Sequence, residues 1–176
     1  MKKERLDEAL VRLQYADTPE LARAIIMEGR VFQNGNRLDK PAILLASDVG
    51  LTVKGDKLPY VSRGGLKLEK AIAAFGLTFE GKTCMDVGSS TGGFTDCMLQ
   101  KGAQKGYAVD VGYGLLDWKL RNDPRVVVME RTNARLLNPE MTGGERMDFA
   151  SMDVSFISIR TVLPAVRTCM KENAHL

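Results

Sequence analysis

The stretch richest in potential chemistry is Cys84-Met85-Asp86-Val87-Gly88-Ser89-Ser90-Thr91-Gly92-Gly93-Phe94. An apolar run reads there as a buried strand, followed by a loop of small residues and then a helix. Small residues let a ligand approach the backbone, and the following helix offers free N–H groups. The glycine spacing is neither GxGxxG nor GxxxxGK[ST], so a dinucleotide fingerprint and a P-loop both lose ground. Asp86 stands just before the loop, and Asp110 ends the next strand. Two acids so spaced suit a ligand with an amine and a ribose diol, and S-adenosylmethionine is such a ligand. An ordinary strand-to-helix turn would explain the glycines alone; Asp110 is what favours a cofactor.

Other chemistries are poorly supplied. Cys84, Cys97 and Cys169 form no CxxC pair, and the single histidine, His175, cannot anchor a metal cluster. Disulfide frameworks, zinc sites and Ser-His-Asp or Cys-His triads are therefore set aside, and no metal is expected. The 176 residues are 44% hydrophobic and 27% charged, an ordinary globular balance. No apolar run approaches the roughly 20 residues of a membrane span, and the charged start lacks a signal-peptide core. The chain reads as reduced and cytoplasmic, without stable membrane insertion. Its net charge of +3 is thinly spread, with ten Lys/Arg against nine Asp/Glu in residues 1–60 and eleven against eleven in 83–176. A nucleic-acid partner must then be argued from placement rather than from a bulk field. Arg5, Arg12, Arg23, Arg30 and Arg37 are candidate phosphate contacts, and a solvated charged face is the plainer alternative.

Two kinds of element must position these groups. In the front part, the spacing predicts a helix over Glu4–Leu13. A second helix is expected to start at Thr18-Pro19, a capping residue followed by proline at the first helical position. Val31–Gln33 with Asn34-Gly35 predicts a hairpin, and Ile43–Leu45 and Leu51–Lys54 predict further strands. This small α+β unit is expected to span 1–58, with a linker at 59–62 marked by Pro59. Beyond it, helix and strand alternate. Helices are predicted at Gly64–Phe75, Thr95–Lys101, Leu115–Arg121 and Ile159–Lys171. Strands are predicted at Thr83–Val87, Gly106–Val109, Val126–Met129 and Phe149–Val154. Such alternation specifies a parallel, doubly wound α/β sheet over 63–176.

Several long motifs carry a resemblance. They are Tyr60-Val61-Ser62-Arg63-Gly64-Gly65-Leu66-Lys67-Leu68-Glu69-Lys70, the loop GSSTGGFTDC, Ala108-Val109-Asp110-Val111-Gly112-Tyr113-Gly114, Glu130-Arg131-Thr132-Asn133-Ala134-Arg135 and Met152-Asp153-Val154-Ser155-Phe156-Ile157-Ser158. Together they resemble the TlyA family, hemolysin A-type ribosomal RNA 2′-O-methyltransferases with an FtsJ-like, Rossmann-like catalytic domain. The front unit resembles the RNA-binding module of ribosomal protein S-four, through RLDEAL, a second helix, GRV and QNG.

The resemblance implies roles. Lys67 and Asp153 match the first lysine and the aspartate of the family's Lys-Asp-Lys-Glu catalytic set. Asp86, Gly88, Ser89 and Gly92 would line the methionine end of S-adenosylmethionine, Asp110 would meet the ribose hydroxyls, and Asn133 the adenine edge. Asn133 could equally be a turn residue closing its own backbone. Arg63 is a further candidate phosphate contact, with a surface ion pair as the alternative. Pro19 stands where the S-four pattern often has a basic residue. Ribosomal RNA or a ribosomal subunit is the implied partner. The family pattern continues past Leu176 with a second lysine and a glutamate. On that reading the chain is truncated, exposes its fourth strand as a sheet edge prone to self-association, and is catalytically dead. The competing functions are a non-catalytic RNA-binding protein and a membrane-active hemolysin, the latter weakened by the lack of an apolar span or a basic amphipathic helix.

Overall fold

The structure, a computed structural model, describes residues 3–46, 50–55 and 59–176. It divides into two units, Met1–Pro59 and Tyr60–Leu176. The boundary expected at Lys57-Leu58 lies outside the described residues.

The front unit contains β1 (Lys3–Arg5), α1 (Leu6–Arg12), α2 (Pro19–Met27), β2 (Val31–Gln33), β3 (Asn36–Leu38), β4 (Leu44–Ala46) and β5 (Thr52–Val53). Thr18 caps α2 by accepting the Leu21 N–H at 3.2 Å, with Pro19 in the first turn. The apolar face of α2 (Leu21, Ala22, Ile25 and Ile26) packs with Leu6 and Leu10 of α1. Asn34 and Gly35 both adopt positive φ, which turns β2 into β3 as an antiparallel hairpin. The expected first helix starts two residues late. Glu4 pairs with Leu45 in an antiparallel ladder, and the Leu6 N–H is bound to the Ile43 carbonyl at 2.8 Å, so the backbone is already committed to a strand there.

The second unit runs α3 (Gly64–Phe75), β6 (Thr83–Val87), α4 (Gly93–Gln100), β7 (Lys105–Val109), α5 (Trp118–Arg121), β8 (Val126–Met129), β9 (Met147–Met152), α6 (Ile159–Thr168) and β10 (Met170–His175). Its five strands form one sheet in the order β10-β9-β6-β7-β8, every pair parallel. The chain steps outward from β6 through β7 to β8, then returns to the other side of β6 with β9. The order therefore reverses between β6 and β9, and ligands of open α/β sheets bind beyond the strand ends at such a point. Strand alternation divides the core. Cys84 and Ala108 pack with Leu68, Met98 and Leu99 on one face, while Met85, Val87, Tyr107 and Val109 meet Val162 and Val166 on the other.

Two expectations need correction here. The helix predicted from Leu115 starts only at Trp118, because the Asp117 carboxylate accepts the Lys119 N–H at 2.9 Å and caps it there. The last helix ends at Thr168, and Met170–His175, read as helix end and tail, forms a fifth strand. Its pairing begins with Met170 beside Met147, so β9 is an interior strand and the expected exposed edge is covered. The polar segment Lys171-Glu172-Asn173 has weak strand propensity, and pairing with a formed sheet overrides it.

Candidate functional site

Gly88 opens the loop after β6, and only glycine fits there. Its φ is +84°, and a Cβ on it would stand 2.6 Å from the Asp153 carbonyl oxygen. That close approach draws the ends of β6 and β9 together at the switch point, where the Asp153 N–H donates to the Val87 carbonyl at 3.1 Å. On the other side, the Gly88 and Ser89 N–H groups donate to Val109 O at 2.9 and 3.1 Å. Asp110 then bridges two loops. Its carboxylate accepts Ser90 N–H at 2.8 Å and Gly112 N–H at 2.7 Å. A carboxylate has about four acceptor positions, so Asp110 can still receive hydroxyls.

Asp86 lies on the α4 side of β6, two residues from Cys84, and is buried. It accepts the Thr95 N–H at 2.9 Å, the Thr95 hydroxyl at 2.8 Å and the Ser151 hydroxyl at 3.4 Å. Burial pushes its carboxyl up to about 6, against the pull of those hydrogen bonds. Its donors among the described residues are neutral.

Lys67 projects from α3, and its Nζ donates to Asp153 Oδ2 at 2.7 Å. Both side chains are exposed, so the pair is open to solvent and to substrate. A second close approach sets the reach of the lysine. A Cβ on Gly93 would lie 2.4 Å from Ser62 Oγ and 2.8 Å from the Gly65 nitrogen, so the starts of α3 and α4 touch backbone to backbone. A polar hollow of about 260 Å³ lies around Lys67, Asp153, Asp86, Ser89 and Ser62. Beside it is a more apolar cleft of about 440 Å³, walled by Val109, Val111, Leu115, Ala134 and Val162, with Asp110 and Asn133 at its side. Gly88, Ser90, Asp153 and Ser155 border both. A flat apolar ring system fits the larger space, a diol fits Asp110, and an amino-acid end fits the polar hollow. The volume of the larger cleft is within the roughly 300–1,000 Å³ usual for small-molecule sites.

The sequence-based site residues fare unequally. Lys67, Asp86, Gly88, Ser89, Asp110, Asn133 and Asp153 all border these spaces. Gly92 does not line them. Asn133 borders the cleft while its Oδ1 accepts the Arg135 N–H at 3.1 Å, the turn-closing alternative. Arg63 is exposed at the start of α3. In the front unit, Arg5 and Arg23 both bind Asp7, Arg12 binds Glu4, Arg30 faces Glu28, and Arg37 faces Asp39. Ser90 and Ser155 also border both spaces without having been singled out from the sequence; Ser90 stands in the glycine loop beside Ser89, and Ser155 two residues after Asp153 in its motif. Among the described residues, no acid, cysteine and histidine cluster could hold a metal, and no helix is long and apolar enough to cross a membrane.

Comparison with known proteins adds independent findings. The FtsJ-like methyltransferase family matches residues 60–175, and the S4 domain matches residues 4–48. The chain is 57% identical to the Bacillus subtilis protein YqxC over 96% of the chain and 60% of that protein. It is 47% identical to the 16S/23S rRNA (cytidine-2'-O)-methyltransferase TlyA of Mycobacterium tuberculosis, over 99% of the chain and 65% of that protein. The chain thus spans less than two thirds of the length of either relative. A solved Streptococcus thermophilus structure described as a hemolysin superposes with a TM-score of 0.69 at 48% identity, covering 97% of this chain and 63% of the other.

Proposed function

The chain belongs to the FtsJ-like methyltransferase family, and from that premise we propose that it takes part in methyl transfer from S-adenosylmethionine to a ribose 2′-hydroxyl of ribosomal RNA. The observation that carries this reading is the Lys67–Asp153 pair, 2.7 Å apart, at the point where the strand order reverses beside the glycine loop. When bound, S-adenosylmethionine supplies an electrophilic sulfonium methyl group. Everything else is work for side chains. Asp110 is the acceptor for ribose hydroxyls, Val111 and Leu115 cover an adenine ring, and the Asp86 charge favours an ammonium group in the polar hollow.

A ribose hydroxyl is a poor nucleophile at neutral pH. Alignment with the methyl group and removal of its proton are what the protein can contribute. Once it has given up its own extra proton to solvent, the neutral Lys67 amine is the group to take the proton from O2′, and as the ammonium it is held toward the hollow by Asp153. The front unit, as an S4 domain, is the RNA-holding part. Cytoplasmic ribosomal RNA is the substrate consistent with these two families together.

The test is transfer of labelled methyl groups to ribosomal RNA by a protein of the relatives' full length and by its Lys67→Ala variant, with the 176 residues alone beside them. RNA binding with no methyl transfer by the full-length protein would favour the non-catalytic reading. Release of dye from liposomes by the purified protein would favour the hemolytic one.

A further inference from the structure

Glu130 opens a motif singled out in the sequence, yet nothing in the proposed reaction uses it. It directly follows β8 at the strand ends that bear the cofactor cleft. Its carboxylate gathers three donors: the Gly114 N–H at 2.8 Å and two guanidinium nitrogens of Arg121. The Glu130 side chain is 11% exposed and Arg121 29%, so the pair is largely withdrawn from water.

The loop they grip is the outer wall of the larger cleft. Val111 and Leu115 line that cleft while remaining 75% and 48% exposed, so little packing behind them fixes their position. Polar tethers fix it instead. Asp110 holds the Gly112 N–H, Gly112 O accepts the Arg131 N–H at 3.0 Å, and Glu130 holds the far end. The Arg131 guanidinium also stacks over the Tyr113 ring at 4.3 Å. Arg121 keeps the Glu130 carboxyl below its usual range, so the brace stays charged at neutral pH.

We propose that Glu130, with Arg121 as its counter-ion, is a positioning residue that braces the Gly112–Leu115 loop as the adenosine-side wall of the cofactor cleft. The inference rests on the S-adenosylmethionine reading above. It assigns Glu130 to cofactor affinity, not to the transfer step, because it touches the wall and neither Lys67 nor Asp153.

The test measures binding of S-adenosylhomocysteine and of 5′-methylthioadenosine, which lacks the amino-acid end, to wild type, Glu130→Gln and Arg121→Met. Weakening one charge-assisted tether should raise both dissociation constants by about tenfold in either variant. The double variant should lose little more than either single one, since the two act as a unit. In the same variants of a full-length protein at saturating donor, kcat for RNA methylation should stay within about twofold, the split expected when ground and transition states lose binding equally. Thermal unfolding of each variant accompanies the titrations, and Glu130→Gln, which preserves the acceptor oxygen, guards against a misfolded Arg121→Met. If wild type binds neither probe, the cofactor reading fails and takes the brace with it. If wild type binds both and Glu130→Gln binds them equally well, the brace alone is wrong. A loss confined to kcat would also overturn it.

Discussion

Two buried aspartates, one from each unit, meet the cost of burial in opposite ways. Asp7 in α1 and Asp86 in β6 are 1% and 2% exposed. Asp7 accepts from Arg5 at 2.9 Å, Arg23 at 3.0 Å and the Glu8 N–H at 3.1 Å. The Arg5 hydrogen bonds lead in holding its carboxyl down to about 2, despite desolvation. Asp86 has hydroxyls and one N–H for company, and burial drives it up to about 6. Depth alone therefore does not set the charge; the partner does. The front unit neutralises its buried acid internally, which is what a scaffold needs. In the sheet unit Asp96 also has a cation, Lys119 at 3.4 Å, and only Asp86 of the two is left to neutral donors beside a polar hollow, where a cationic ligand group would favour the ionised form.

The contrast is broken most severely at the chemistry. In a protein of the relatives' full length, Lys67→Ala should lower methyl transfer to ribosomal RNA by about 10²–10⁴, the usual range for a general acid or base. Binding of S-adenosylhomocysteine and the unfolding midpoint should barely move, because the Lys67–Asp153 pair is exposed and such pairs contribute little to stability. An unimpaired Lys67→Ala enzyme would remove the residue from the mechanism. Gly88→Ala should come next. A Cβ 2.6 Å from the Asp153 carbonyl, at a φ of +84°, forces the ends of β6 and β9 apart. The cost is about 3 kcal/mol in stability of the sheet unit, with loss of cofactor binding, and denaturant titration alongside calorimetry would measure both. A stable Gly88→Ala protein with full affinity would contradict the tight switch point.

Much of the sheet unit could be read from residue types. Thr83–Val87, Val126–Met129 and Gly64–Phe75 have the bounds their patterns predict, because apolar runs between glycine and polar punctuation leave few alternatives. Lys67 and Asp153 came from a motif resemblance; only the fold brings residues 86 positions apart to 2.7 Å. What stayed hidden depends on partners distant in sequence. β1 becomes a strand because β4 lies beside it, and β10 because β9 does. Gly92 looked like Gly88, yet the leucines that meet it come from residues 116 and 120. The front arginines looked like phosphate contacts, but no local spacing reveals that Arg23 shares Asp7 with Arg5 across 16 residues.

The pH dependence sharpens the contrast between the two acids. Between about pH 4 and 6 the folded chain keeps a proton on Asp86 that the unfolded chain has released. Stability from this group is therefore full below about pH 4 and is lost as pH rises through about 6. A shift of about two units corresponds to about 3 kcal/mol before relaxation of the buried site, so a measured loss of about 2 kcal/mol is expected. Asp7 runs the other way: its contribution is present above about pH 4 and is lost as pH falls toward about 2. Denaturant unfolding of wild type and Asp86→Asn at pH 4, 5, 6 and 7 isolates the first effect. Equal slopes for the two proteins would mean that Asp86 does not titrate in this window.

The smallest effect is expected from Asp7→Asn. Removing one member of a buried ion pair usually costs several kcal/mol, because the partner is left charged and dry. Here the partners can escape. Arg5 and Arg23 are 42% and 49% exposed, so both guanidiniums can turn to water when the carboxylate is gone. The asparagine oxygen can still accept the Glu8 N–H that Asp7 now holds. The loss should therefore be about 1 kcal/mol, felt by the front unit, with cofactor affinity unchanged because Asp7 belongs to the other unit. Two released guanidiniums also separate the readings of the front face. If they can contact phosphate, Asp7→Asn should bind ribosomal RNA more tightly at low salt and lose that advantage as salt rises. RNA affinity that is indifferent to Asp7→Asn at every salt concentration would make Arg5 and Arg23 part of the scaffold and nothing more.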